Sequence, residues 1–114
     1  FGLFFVAQRG EFPKIENSVL ISKLLEQQEK YDGRYVTIAG VVDEIRENYT
    51  SRGTGYQVFA VDDGTAVIQV YKSAFVPPKE VSAGDDLVLS GLFSTDRRTP
   101  EIRITPSIGM IRTS

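Results

Sequence analysis

The chain has 114 residues and contains neither cysteine nor histidine. Without cysteine there is no disulfide framework and no thiolate metal site. Without histidine, imidazole acid/base catalysis, histidine-based triads and imidazole metal sites are all excluded. Carboxylates alone can still hold a hard cation, but no segment shows the ligand spacing of a calcium loop. Nothing else resembles a catalytic constellation, so the sequence implies no enzyme, no cofactor and no resident metal. A large excess of positive charge is missing too. Residues 1–32 carry four bases and five acids, and the remainder nine and ten, which together give the net charge of -2. Affinity for duplex nucleic acid rests largely on phosphate neutralisation, so this balance argues against strong duplex binding. A local basic stripe remains compatible with it.

Long apolar runs are also absent. Residues 1–7 (Phe-Gly-Leu-Phe-Phe-Val-Ala) are apolar, but seven residues cannot span a bilayer. They read either as the end of a removed signal or anchor, or as a strand that packs on the rest. The chain opens on Phe1 rather than methionine, so the natural start is expected upstream. An anchor there would place the protein outside the cytoplasm and would be its one contact with a membrane. A nucleic-acid binder would instead be cytoplasmic.

Strand patterns dominate what is present. Tyr35-Val36-Thr37-Ile38-Ala39-Gly40-Val41-Val42 and Asp86-Leu87-Val88-Leu89-Ser90-Gly91-Leu92-Phe93 are both alternating runs broken by a glycine. Such a glycine marks a bulge or a tight bend, which a small barrel needs in order to close. Between them, strands over 56–61 and 66–71 flank Asp62-Asp63-Gly64, a hairpin turn in which Asp-Gly supplies the positive φ. Adjacent aspartates in a turn do not face a common cavity, so they are a turn and not a catalytic pair. Alternation puts Phe59, Val61, Ile68 and Val70 inward, and Tyr56, Val58, Val67, Gln69 and Tyr71 outward.

Ahead of the first strand (34–46), Val19, Leu20, Lys23, Leu24 and Gln27 step at helical spacing, which predicts a helix over 18–30 with Asn17 or Ser18 as N-cap. Residues 47–55 and 94–100 read as polar loops. Pro77-Pro78 forbid a regular helix across 72–85. The last strand, 101–104 and 108–111, is interrupted by Pro106. The chain divides into an apolar segment plus helix (1–32) and a barrel (33–114).

Taken in order, the Gly40 strand, the hairpin around Asp63-Gly64 and the Gly84-Asp85-Asp86 entry to the Gly91 strand resemble an oligonucleotide/oligosaccharide-binding (OB) fold, in the style of its anticodon-binding-like family. The resemblance covers about residues 34–111. It implies an all-β, five-stranded Greek-key barrel with one N-terminal helix, which here takes over the plugging role of the usual helix between strands three and four. It extends to the periplasmic haem chaperone of cytochrome c maturation, but that protein needs a histidine that this chain lacks.

The resemblance also implies a ligand face on strands two and three, flanked by the loops after strands one and four. On that face Tyr56 and Tyr71 would stack bases beside Gln69, and Arg52, Lys72, Arg97 and Arg98 would hold phosphates. Tyr49 is either a further stacking residue or a surface one. The alternatives are ordinary: tyrosine suits a half-exposed sheet, and arginines beside Asp and Thr suit a solvated turn. The implied partner is single-stranded nucleic acid. The other reading is an exported or anchored module that contacts a protein or a small ligand.

Overall fold

The computed structural model describes residues 18–50, 54–96 and 98–113. The described residues form α1 (Ile21–Glu26), α2 (Gln28–Tyr31), β1 (Tyr35–Asn48), β2 (Tyr56–Asp62), β3 (Val67–Ser73), β4 (Asp86–Ser94), β5 (Glu101–Ile104) and β6 (Met110–Thr113). The first half of β1 pairs with β4 and its second half with β2; Val41 partners both Asp86 and Asp62. β2 pairs with β3, β3 runs parallel to β5, and β5 returns to β4. The circuit β1-β2-β3-β5-β4-β1 is therefore closed, which leaves no long free edge among the described barrel strands. β6 continues along β4 beyond β5, so the interrupted last strand is two short strands on one edge. This is the five-stranded barrel that the sequence implied.

Two features bend the sheet into a barrel. Gly40 and Gly91 sit where strands approach too closely for a side chain. A Cβ on Gly40 would lie 2.7 Å from the Asp62 carbonyl oxygen, and one on Gly91 2.6 Å from that of Arg103. β1 also slips register between Val42 and Glu44 and again between Ile45 and Glu47. Each slip inserts one residue and raises the local twist. The first slip switches the inward parity, so Val42 is buried and Ile45, three residues on, packs against the core.

The core holds Val36, Ile38, Phe59, Val61, Ile68, Val70 and Leu89, as the alternation predicted, together with Phe93, Ile102 and Ile104. α1 plugs one end with Ile21 and Leu24. The helical stretch is shorter than predicted and breaks at Gln27. Its N-terminus departs further from expectation. Asn17 lies outside the described residues, and Ser18 does not cap; it forms a bridge with Thr37 of β1. The β2–β3 turn caps the helix instead: the Ile21 amide donates to Asp63 Oδ2 at 2.8 Å and the Ser22 amide to Thr65 Oγ1 at 3.1 Å.

Burial alone would raise the Asp63 carboxyl, but bonds from the Ile21 amide, the Thr65 hydroxyl and amide and the Ala66 amide hold it below its ordinary value. A depressed carboxyl contributes stability that is present above the ordinary carboxylate range and is lost as pH falls through the folded value. Asp63→Ala is expected to cost about 1–2 kcal/mol at pH 7, the upper range for a lost helix cap. Chemical denaturation at pH 7 and at pH 3 checks this, since the difference between the two proteins should shrink at the lower pH.

Residues 74–85 cross the opposite end without forming a helix, as the two prolines required. Val76 and Val81 enter the core from this segment. Two buried polar side chains tie it down. Gln57 donates to the Val81 carbonyl at 3.1 Å and accepts its amide at 2.8 Å. Lys72 Nζ donates to the carbonyls of Ser73 at 3.2 Å and Lys79 at 3.1 Å.

Candidate functional site

The outer face of β1, β2, β3 and β5 carries a row of ring contacts. Val58 pairs in register with Tyr71, and Tyr56 lies two residues along from Val58, so the two tyrosines are diagonal neighbours on one face. Their rings stack with centroids 5.2 Å apart. The Tyr49 amide donates to the Tyr56 carbonyl at 2.8 Å just beyond the end of β1, which brings the Tyr49 ring to 5.2 Å from that of Tyr56. On the other side Tyr71 pairs with Arg103 of β5, whose guanidinium lies 4.6 Å from the Tyr71 ring centroid. The row therefore reads Tyr49, Tyr56, Tyr71, Arg103. Tyr49, at its outer end, is 61% exposed.

Polar side chains line the same face. Arg103 donates to Glu101 at 2.7 Å, and Gln69 Nε2 to the other oxygen of Glu101 at 3.0 Å. Arg46 reaches Gln69 Oε1 at 3.1 Å and pairs with Glu44 at 2.9 Å. The Tyr56 hydroxyl donates to Glu47 at 3.1 Å. Desolvation, and then this bond to a carboxylate, raise the Tyr56 phenol above its ordinary value. Two arginines thus share the face with three glutamates. Planar rings and guanidinium groups, ringed by paired donors and acceptors, suit stacking and hydrogen bonding with a flat ligand. Among the described residues no group of carboxylates is placed to hold a metal ion, and no helix is long and apolar enough to cross a membrane.

Of the residues singled out from sequence, Tyr56, Tyr71 and Gln69 come together on this face, and Tyr49 joins them. Arg52 and Arg97 lie outside the described residues, as do residues 1–7. Arg98 is exposed in the β4–β5 loop, which enters β5 at Glu101 beside Gln69. The loop after β1 instead enters β2 at Tyr56, at the other end of the ribbon. The two loops therefore join the face at opposite ends of the β2–β3 ribbon. Val58 points outward but is buried.

Lys72 is a correction. It follows outward-facing Tyr71, so its side chain turns inward and is fully buried. Its ammonium already satisfies two carbonyls, which removes it from any phosphate contact. Burial lowers its pKa to about 8, against a smaller opposing pull from Glu80. The unfolded chain holds this proton up to about its ordinary value of 10.5, so between those values the unfolded state binds more protons and stability rises with pH. Above pH 10 the raised Tyr56 phenol acts in the opposite direction. Lys72→Met is expected to abolish the rise in unfolding free energy between pH 8 and 10. An unchanged slope in denaturant melts would assign the rise to another group.

Glu44, Arg46, Glu47, Glu101 and Arg103 are the face residues that sequence reasoning missed. Arg103 was accessible through its place between Ile102 and Ile104, both buried. Arg46 was hidden by the two register slips of β1.

No protein-family model and no curated protein matches the sequence. Solved structures do. Asparaginyl-tRNA synthetase from Pyrococcus horikoshii, complexed with asparaginyl-adenylate, aligns with TM-score 0.66 at 15% identity, over 87% of this chain and 22% of that one. The hypothetical protein YgiW from E. coli aligns with TM-score 0.63 at 18% identity, over 93% of this chain and 100% of that one. A replication protein A heterotrimer bound to single-stranded DNA aligns with TM-score 0.53 at 22% identity, over 72% and 57%. The chain spans about a fifth of the synthetase chain and the whole length of YgiW. Together with the strand order, these likenesses show an OB fold.

Proposed function

We propose that this protein is a non-enzymatic OB module that binds single-stranded nucleic acid, with little sequence preference, on the outer face of β1, β2, β3 and β5. One observation carries the reading: the continuous row of Tyr49, just beyond β1, with Tyr56, Tyr71 and Arg103 on β2, β3 and β5. Base stacking on such rings is tolerant of sequence because every base has a π-face. Tyr49 offers the open end of the platform, with Tyr56 and Tyr71 behind it. Gln69 meets base edges, and Arg103 and Arg46 meet phosphates, with Arg98 at one end of the track and Arg52 and Arg97 in the flanking loops. The likeness to a replication protein A heterotrimer bound to single-stranded DNA supports this use of the fold.

A different class of ligand is favoured by one feature. The face carries three glutamates against two arginines, and both arginines are already paired. An exported or anchored module that holds a protein or small ligand there would not need the phosphate contacts. A fluorescein-labelled oligothymidine, titrated at low salt, separates the two. The nucleic-acid reading expects saturable binding that reaches only micromolar affinity at physiological salt, given the net charge of -2. No binding at low salt would transfer the face to the second class.

A further inference from the structure

A second concave surface lies around the kink in β1, away from the tyrosine row. β1 leaves β4 and joins β2 at Val41, and the sheet opens there into a groove of about 730 Å³. Apolar residues line it: Ala39 and the exposed Val41 on the outer face, with the core residues Val42 and Leu87 beside them. Val41 remains 40% exposed in a barrel whose outward Val58 and Val88 are buried. The size suits a short peptide segment or a small ligand.

The rim decides what charge the occupant carries. Asp43, Asp62, Asp63 and Asp86 surround the groove, and its described lining includes no lysine or arginine. Two of the four are spent on structure: Asp63 caps α1, and Asp62 accepts the Gly64 amide at 2.8 Å. Asp43 and Asp86 are exposed, and their side chains hold no hydrogen bond or ion pair among the described residues. An apolar floor with unspent carboxylates at its edge complements a segment that alternates aliphatic and cationic side chains. A phosphate backbone would be repelled.

We infer that this groove docks a basic, aliphatic peptide segment of a partner protein, with Asp43 and Asp86 pairing its cations and the Ala39–Val41 floor taking its aliphatic side chains. The inference is independent of the nucleic-acid face, and the test keeps the two apart. The probe is a fluorescein-labelled hexapeptide alternating lysine and leucine, titrated by anisotropy at low salt. The wild-type protein is expected to bind it saturably, and Asp43→Asn with Asp86→Asn to weaken it about tenfold, about 1.4 kcal/mol. Two altered peptides, one with glutamine for lysine and one with serine for leucine, are each expected to bind at least as weakly. Tyr71→Ala should leave peptide binding unchanged, and the double aspartate variant should leave oligonucleotide binding no weaker. Failure of the wild-type protein to bind the peptide would overturn the inference. So would equal binding by the folded double variant, or equal binding of the serine peptide, which would reduce the groove to a loose cluster of carboxylates.

Discussion

Phe59→Ala is expected to cost about 3–5 kcal/mol, the range for removing a buried phenylalanine and leaving a cavity. Phe59 is fully buried at the centre of β2, paired with Ile45 on one side and Val70 on the other. Its neighbours belong to a closed barrel whose backbone hydrogen bonds run round the circuit, so the walls cannot collapse far into the space. Domains of this size have about 5–15 kcal/mol of stability in all, so the variant should be marginal at room temperature. Tyr71→Ala is the control. Its ring is half-buried on the outer face, and its loss opens no cavity in the core. Urea titration should rank Phe59→Ala well below Tyr71→Ala. The reverse ranking would mean that β2 and β3 are slipped by one residue and that every inward and outward assignment is exchanged.

The second large effect is on ligand binding, and it separates stacking from charge. Removing one stacking ring costs about 1–3 kcal/mol per base, or about 5- to 150-fold in affinity. Tyr71→Ala should fall in this range, because it breaks the row between Tyr56 and Arg103. The dependence on salt should not change, since a ring releases no counterions. Arg103→Ala should behave in the opposite way. It should weaken all sequences alike and reduce the slope of log affinity against log salt by about 0.7, the loss of one phosphate contact on a single strand. Measuring both slopes from 20 to 300 mM salt decides the roles. Equal slopes for the arginine variant and the wild-type protein would mean that Arg103 stays with Glu101 and meets no phosphate.

Much of the barrel was legible in the sequence because strand alternation is a strong, local signal. Val36, Ile38, Phe59, Val61, Ile68, Val70 and Leu89 all occupy the core positions their parity assigns. The same parity places Lys72 inside. Its charge suggested a phosphate contact, but the position after outward-facing Tyr71 required burial, and burial was made tolerable by the carbonyls of Ser73 and Lys79. No local pattern announces those acceptors, because Lys79 belongs to a segment that returns from elsewhere. The helix N-cap was hidden for a related reason. Asn17 and Ser18 have the right chemistry, yet Asp63, 42 residues from Ile21 along the chain, does the work. Arg46 escaped because one register slip breaks the alternation of β1 before it and Arg46 is itself the residue inserted by the second. The shared outward facing of Tyr56 and Tyr71 was legible because it needs only the hairpin register, whereas the place of Arg103 beside Tyr71 needs the parallel pairing of β3 with β5, which is not written locally.

The most direct measurement is an amide chemical-shift titration of the 15N-labelled protein with oligothymidine at low salt. Binding through the tyrosine row should concentrate the shifts at Tyr49, Tyr56, Gln69, Tyr71 and Arg103, with the signals of Ala39, Val41 and Asp86 unmoved. Shifts confined to the groove around Val41, or no shifts at all, would contradict the assignment of this face to single-stranded nucleic acid.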